Sequence, residues 1–386
     1  MYGGNLFMCE IFLEPIEILS RIDQGKSEMT EWKLGFLCGL IKQKKPKKIL
    51  EIGVAAGGTT AVILNCVSLL DIDVEVFSID VNEKLYSDSS KNTGYLAEQC
   101  MPYLTKKIKR RLYTKGISVE FLESIGKDID FLILDTMHIL PGELLDFLAC
   151  LPYLAKNCTV VLHDIALHHI GEDAGGYATQ VLFDTVVGKK IIGRDPESLE
   201  GYPNIGAFET NEDTKKYIEN VFQALLLTWR YMPSSEQLRL YRDFYAKHYE
   251  KKYIDIFDKA LALNEITLKK VKQKKEDEFH EIYELVNICA KHKTYIYGCG
   301  KFGKAFYKLL KKCGVDIKGY IITDGNEKDE TEQVFYLSEI ELNQAQDLIL
   351  VGVNRNLQKE IKDILEKEGI KNYLLPSTVV CEFIGR

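Results

Sequence analysis

None of the ten cysteines pairs with another at C-x-x-C spacing, and no run of apolar residues is long enough to span a bilayer. The first absence argues against structural zinc and against a disulfide framework. Thiols scattered in this way through 386 residues are expected to be reduced and mostly buried. The second leaves no candidate transmembrane helix. An excess of basic charge is missing too. The formal net charge is −7 and the sequence pI about 5.7, with acids interleaved among the lysines, so a broad nucleic-acid surface is not expected. Met1 to Glu14 is mildly apolar but has neither the basic start nor the small-residue cleavage site of a signal peptide. Together these absences lead to the expectation of a soluble cytoplasmic protein, with no nucleic acid and no membrane among its partners. Histidine is also scarce, yet four of the seven fall between positions 138 and 169.

What is present is strand and helix in turn. Residues 28–44 read as an amphipathic helix with Trp32, Leu34, Phe36, Leu37, Leu40 and Ile41 on its apolar side. Strands are predicted at 48–52, 74–79, 111–115, 130–134 and 159–163, with helical patterns between them, which implies a doubly wound parallel sheet. Two more apolar pieces, 190–193 and 204–208, follow the fifth strand. The segment from Ile49 to Thr60 is an apolar strand, a glycine-rich turn and a helix start. Its spacing, E-x-G-x-x-x-G-G from Glu51 through Gly53 to Gly57 and Gly58, differs from the dinucleotide fingerprint. A second strand, Val76 to Ile79, ends at Asp80, and an acid in that place can bind both hydroxyls of a ribose.

Glu51, Gly53, Gly57, Gly58 and Asp80 together resemble motif I and the following acid of the class I S-adenosylmethionine-dependent methyltransferases. The resemblance spans about residues 28–210. It implies a Rossmann-like sheet whose last strand is inserted antiparallel, and S-adenosyl-L-methionine as cofactor, with the glycine turn facing its methionine part. Ser118, after the third strand, stands where that class commonly touches the adenine edge. Its other reading, which we favour, is an ordinary helix N-cap.

Two predicted strand ends carry the scarce histidines. Strand four ends in Asp135-Thr136-Met137-His138 and strand five in His163-Asp164. Carboxyl ends of neighbouring parallel strands converge on one crevice, so Asp135, His138, His163 and Asp164 are expected to face the cofactor's sulfonium. With Pro141 to Phe147 between them, they resemble the bacterial macrolide-sugar O-methyltransferases and cephalosporin hydroxylase-like proteins. That resemblance implies a divalent cation, Mg²⁺ or Mn²⁺, on Asp135 and Asp164, with His138 as base. His163 stands where those relatives have Glu, so a metal ligand there is a nitrogen better suited to a first-row transition ion, or the metal is absent. His163 is also a candidate for the chemistry itself, or else a hydrogen-bonded structural residue. Gly171 to Gly176 would make the following loop a lid.

Between Thr214 and Lys291 no strand is predicted. Tyr241, Tyr245, Tyr249, Tyr253 and Phe257 recur every fourth residue, forming a stripe on one helix. A packing face between helices or subunits is the favoured reading over a sugar-stacking platform, and a homo-oligomer contact would be sought here. From Lys293 a second α/β unit begins. Gly298, Gly300 and Gly303 form a true G-x-G-x-x-G, and Asp324 follows at the spacing of a ribose-binding acid. This tail resembles the small Rossmann-like domains of bacterial sugar- and polysaccharide-modifying proteins, for which nucleotide binding and pure scaffold remain equal readings. The expected division is thus a methyltransferase domain over 1–212, a helical connector over 213–291 and a small Rossmann-like domain over 292–386. The expected activity is methyl transfer to a hydroxyl of a sugar, nucleotide-sugar, glycan or small metabolite. The alternatives are an NAD(P)-linked oxidoreductase acting through the tail and a non-catalytic binding protein on a methyltransferase fold.

Overall fold

Thr30 starts the first described helix, α1 (Glu31–Lys44), by accepting the N–H of Lys33 on its side chain, and Lys45 ends it in the left-handed region at φ 46°. The structure, a computed structural model, describes residues 27–170, 176–193 and 204–385. Nearly all of α1 from Leu34 to Ile41 is buried. The loop from Gly171 expected to act as a lid lies outside the described residues up to position 175.

The first sheet is built as the alternation implies. Strands β1 (Lys48–Ile52) and β2 (Val74–Asp80) are followed by a short antiparallel ribbon, β3 (Lys84–Leu85) and β4 (Asp88–Asn92). Then come β5 (Ile108–Thr114), β6 (Ile129–Leu134), β7 (Leu154–His163), β8 (Lys189–Ile192) and β9 (Ile205–Glu209). The seven-stranded order is β5-β2-β1-β6-β7-β9-β8, with β9 antiparallel to both its neighbours. This is the expected Rossmann-like sheet with its reversed strand. Residues alternate across it: Ile49, Phe131, Ile133 and Val161 enter the core on one face, and Leu50, Leu132, Val160 and Leu162 the core on the other. Because β2, β1, β6 and β7 run parallel in register, Asp80, Ile52, Leu134 and His163 finish on the same edge.

Contacts divide the chain into two compact units, 1–268 and 269–386. Much of the segment expected as a connector therefore counts with the first unit. The aromatic stripe also differs from expectation. It is carried by two helices, α2 (Ser235–His248) and α3 (Lys251–Ala290), because Tyr249 takes extended backbone at φ −128°. Tyr245 and Phe257 are fully buried in the first unit's own core, which rules out their faces as a sugar platform. Three of the hydroxyls find an acceptor on the helix Gly142–Cys150: Tyr241 donates to Asp146 at 2.8 Å, Tyr245 to the Leu145 carbonyl at 2.7 Å and Tyr249 to the Leu148 carbonyl at 2.6 Å. A tyrosine can be buried when its O–H is so satisfied.

The second unit has its own parallel sheet. It comprises β10 (Lys293–Tyr297), β11 (Ile317–Ile322), β12 (Val334–Tyr336), β13 (Asp347–Val351) and β14 (Tyr373–Leu374), in the order β12-β11-β10-β13-β14. Separate apolar clusters around Phe306 and Leu350 on one face, and Ile349 and Leu365 on the other, make its core. No described helix in either unit is long and apolar enough to cross a membrane.

Candidate functional site

The turn after β1 shows why its glycines are needed. Gly53 sits at φ 93°, and a Cβ there would lie 1.8 Å from the carbonyl oxygen of Asp135. Its N–H donates to the Ile79 carbonyl at 2.9 Å, while Asp135 N–H donates to the Ile52 carbonyl at 2.9 Å. The turn thus ties the ends of three strands together. Gly57, at φ 85°, packs against Gly94, whose Cα a Cβ would approach to 2.8 Å. Gly58 and Thr59 open the helix Gly58–Leu69 and line a cavity of about 840 Å³. Glu51 does not line it. It is buried beneath the turn, where its Oε2 accepts the hydroxyls of Thr60 at 2.7 Å and Ser78 at 2.9 Å. Burial pushes its pKa up to about 7 against the pull of those two hydrogen bonds.

Asp80 lines the cavity at the end of β2. Its Oδ2 accepts the N–H groups of Val54 and Ala55, both at 3.0 Å, and its Oδ1 that of Asn82 at 2.8 Å. A carboxylate offers about four lone-pair sites, so capacity remains after three bonds. Ser118 also lines the cavity, but it is the first residue of its helix rather than the cap. Its hydroxyl donates to Asp146 Oδ1 at 2.6 Å. Asp146, buried with the hydroxyls of Ser118 and Tyr241 as hydrogen-bond partners, is pushed up to about 6 by desolvation. Neither Asp146 nor Tyr231, which also lines the cavity, was expected from sequence.

Asp135, His138, His163 and Asp164 meet at one end of this cavity. His163 Nδ1 is 2.9 Å from Asp135 Oδ1, and His138 Nε2 lies 3.4 Å from Asp135 Oδ1 and 3.5 Å from Asp164 Oδ2. His138 Nδ1 faces the fully buried Glu143 at 3.3 Å, whose Oε1 also accepts the His138 N–H at 2.7 Å. Burial alone would lower the pKa of His138. Its contacts with Asp135 and Glu143 outweigh burial and hold it up at about 10, so the imidazole stays protonated near neutrality. Burial likewise works to raise Asp135, and the two imidazoles reverse it, holding that carboxyl well below the usual range. His138 and Asp164 both sit in the left-handed region, at φ 58° and 56°, with Ala55 at 47° across the cavity. Strained non-glycine backbone of this kind persists only where surrounding contacts over-determine it.

Sequence reading missed Lys33. From α1 its Nζ reaches 3.0 Å from His163 Nε2 and donates to Asp164 Oδ1 at 3.0 Å. An ammonium can only donate, so Nε2 accepts and the His163 proton lies on Nδ1, toward Asp135. The sequence shows a lysine on the helical face of the apolar Phe36, Leu37 and Leu40, but no local spacing names its partners. Asn204 completes the cluster, its amide donating to Asp164 Oδ1 at 2.5 Å.

Donor atoms of Asp135, His138 and His163 lie within 4.8 Å of one another, close enough in distance for a metal ion. Their bonding does not fit one. Both nitrogens of His163 are engaged, and Asp164 Oδ1 is shared by Lys33 and Asn204. A dication within 4 Å of an ammonium would meet repulsion of about 8 kcal/mol at an effective dielectric constant near 20.

In the second unit, Gly298 (φ 100°) and Gly303 serve the strand–helix contact. A Cβ on Gly303 would lie 1.8 Å from the Gly298 carbonyl oxygen. Gly300 faces open space, and the Asp324 carboxylate accepts the Ser338 hydroxyl.

Residues 50–165 match a family described as a methyltransferase domain. No curated protein matches the chain. Similar solved structures include the O-methyltransferase TomG from Streptomyces achromogenes, in complex with SAM, at 16% identity over 53% of this chain and 91% of that one, TM-score 0.36. The O-methyltransferase from Bacillus cereus, with SAH, is 13% identical over 53% of this chain and 91% of that one, TM-score 0.35. SAH-bound methyltransferase PaMTH1 from Podospora anserina is 14% identical over 53% and 89%, TM-score 0.34.

Proposed function

We propose that this chain, which carries an S-adenosylmethionine-dependent methyltransferase domain, acts on a hydroxyl oxygen of a sugar, glycan or related small metabolite, nucleotide-sugars included. One observation carries the reading: the glycine turn, Asp80 and the Asp135–His138–His163–Asp164 cluster line a single cavity of about 840 Å³. A cofactor end and a proton-handling end therefore share one space.

The residues suit that cofactor. The N-terminus of helix Gly58–Leu69 favours a carboxylate, and Asp80 retains acceptor capacity for ribose hydroxyls. When bound, S-adenosylmethionine supplies an electrophilic methyl group on a sulfonium. An alcohol is a poor nucleophile until it loses its proton. His163 is the base in this reading: when the acceptor binds, its O–H replaces the Lys33 N–H at Nε2. Asp135 fixes the Nδ1–H tautomer and favours the imidazolium that forms when Nε2 takes the proton. His138, already protonated, serves as a fixed positive charge between the acids rather than as the expected base. The divalent cation implied by resemblance has no role here, because Lys33 holds its place.

Calorimetric titration with S-adenosylhomocysteine, and separately with NADH, tests the reading. Asp80→Ala removes hydrogen bonds to a charged group and should weaken S-adenosylhomocysteine binding at least about tenfold. No binding of S-adenosylhomocysteine, with tight NADH binding abolished by Gly300→Val, would overturn it.

A further inference from the structure

Lys33 brings an ammonium into a cluster that otherwise has the composition of a metal site. Its side chain is only 13% exposed and lines the cavity. We propose that this ammonium is the resident cation of the acceptor site: it stands among the groups that would hold a divalent metal, presents its charge to the acceptor oxygen, and leaves the site closed to divalent metal. The part concerning the acceptor rests on the methyl-transfer reading above; the part concerning metal does not.

Three observations support the substitution. An ammonium has three N–H donors, and Lys33 spends two, on His163 Nε2 and Asp164 Oδ1. Among the described residues the third has no acceptor, so a cavity oxygen can take it. The groups that a metal would need are committed to Lys33. His163 can ligate only through Nε2, because Nδ1 faces Asp135, and Asp164 Oδ1 also takes the Asn204 amide. Finally, the lysine is held. It lies in the first turn of α1, next to Leu34 and one turn before Leu37, which are 2% and 0% exposed. A donor fixed before reaction stabilises developing negative charge without reorganising, which is the electrostatic service a metal otherwise supplies. Lysine suits this as a compact point charge.

The test uses the full-length protein and Mn²⁺ alone as probe, read by electron paramagnetic resonance. Wild type should leave the Mn²⁺ signal as it is in buffer. Lys33→Met vacates the position and should bind Mn²⁺ at least about tenfold more tightly than wild type, since carboxylate and imidazole ligands are then released. Adding Asp164→Asn should remove the gain, and Lys33→Arg, which keeps the charge, should show none. If the methionine variant loses its fold by circular dichroism, Lys33→Gln takes its place. Mn²⁺ binding by wild type that is lost in Asp135→Asn would overturn the proposal, as would a folded Lys33→Met or Lys33→Gln protein with no gain. A parallel titration of wild type with S-adenosylhomocysteine keeps the two readings apart. Failure there sinks methyl transfer and leaves the Mn²⁺ result standing.

Discussion

Glu51 is a carboxyl group with two hydroxyls and almost no water for company. Its pKa is raised from 4.5 to about 7, so between those values the folded chain keeps a proton that the unfolded chain has lost. The resulting stabilisation is complete below the unfolded pKa and is lost as pH rises through the folded one, a swing of about 3 kcal/mol. Glu51→Gln should therefore flatten the fall in unfolding free energy between pH 5 and pH 8, measured by urea titration at each. Equal slopes in both proteins would show Glu51 already ionised at pH 5. The position of this acid was legible in the sequence, but its role was not. A motif fixes which residue ends the strand, whereas the hydroxyls that surround it come from Thr60 and from Ser78 on another strand. Lys33 was hidden for the same reason: its partners lie on β7 and in the following loop, and no local spacing connects them.

Among elements, the glycine turns behave differently in the two units, although both read as ligand-cradling patterns. Gly53 has a positive φ and no space for a methyl group against Asp135. Gly53→Ala should cost at least about 3 kcal/mol by chemical denaturation, or prevent folding, because the strain and the overlap add. Gly300, at φ −83° with nothing within 4 Å of a Cβ, should accept alanine within about 0.5 kcal/mol. Most strands of both sheets were readable, since buried parallel strands are short continuous apolar runs, but the half-buried edge strand β12 was not anticipated. The ribbon β3–β4 was not. Its residues are mostly exposed and polar, and nothing in Asp88–Asn92 distinguishes a strand from a loop. The break at Tyr249 escaped for a related reason: the four-residue aromatic period continues straight through it, while the backbone does not.

At the scale of the whole molecule, each unit carries its own hydrophobic clusters, so heating should give two transitions rather than one. S-adenosylhomocysteine at a hundred times its dissociation constant should stabilise the first unit by about 2.7 kcal/mol and raise only that transition in differential scanning calorimetry. A ligand-induced shift of both transitions, or of neither, would count against a cofactor site confined to residues of the first unit. The sequence pattern indicated a two-sheet architecture because glycine turns and apolar runs recur after Lys293. It did not reveal how fully the helices beyond residue 212 belong to the first core, since an amphipathic pattern says which face is buried and not against what. Lys33 has one more consequence, in the order of synthesis. Domains are made N-terminal end first. The ammonium therefore leaves the ribosome well before Asp135, Asp164 and Asn204, so a growing chain contains the cation long before its counter-charges. The charge balance of the cavity is reached only when Asp164, the residue after β7, has emerged, and a chain halted before Asp135 would hold a lysine with neither acid to face.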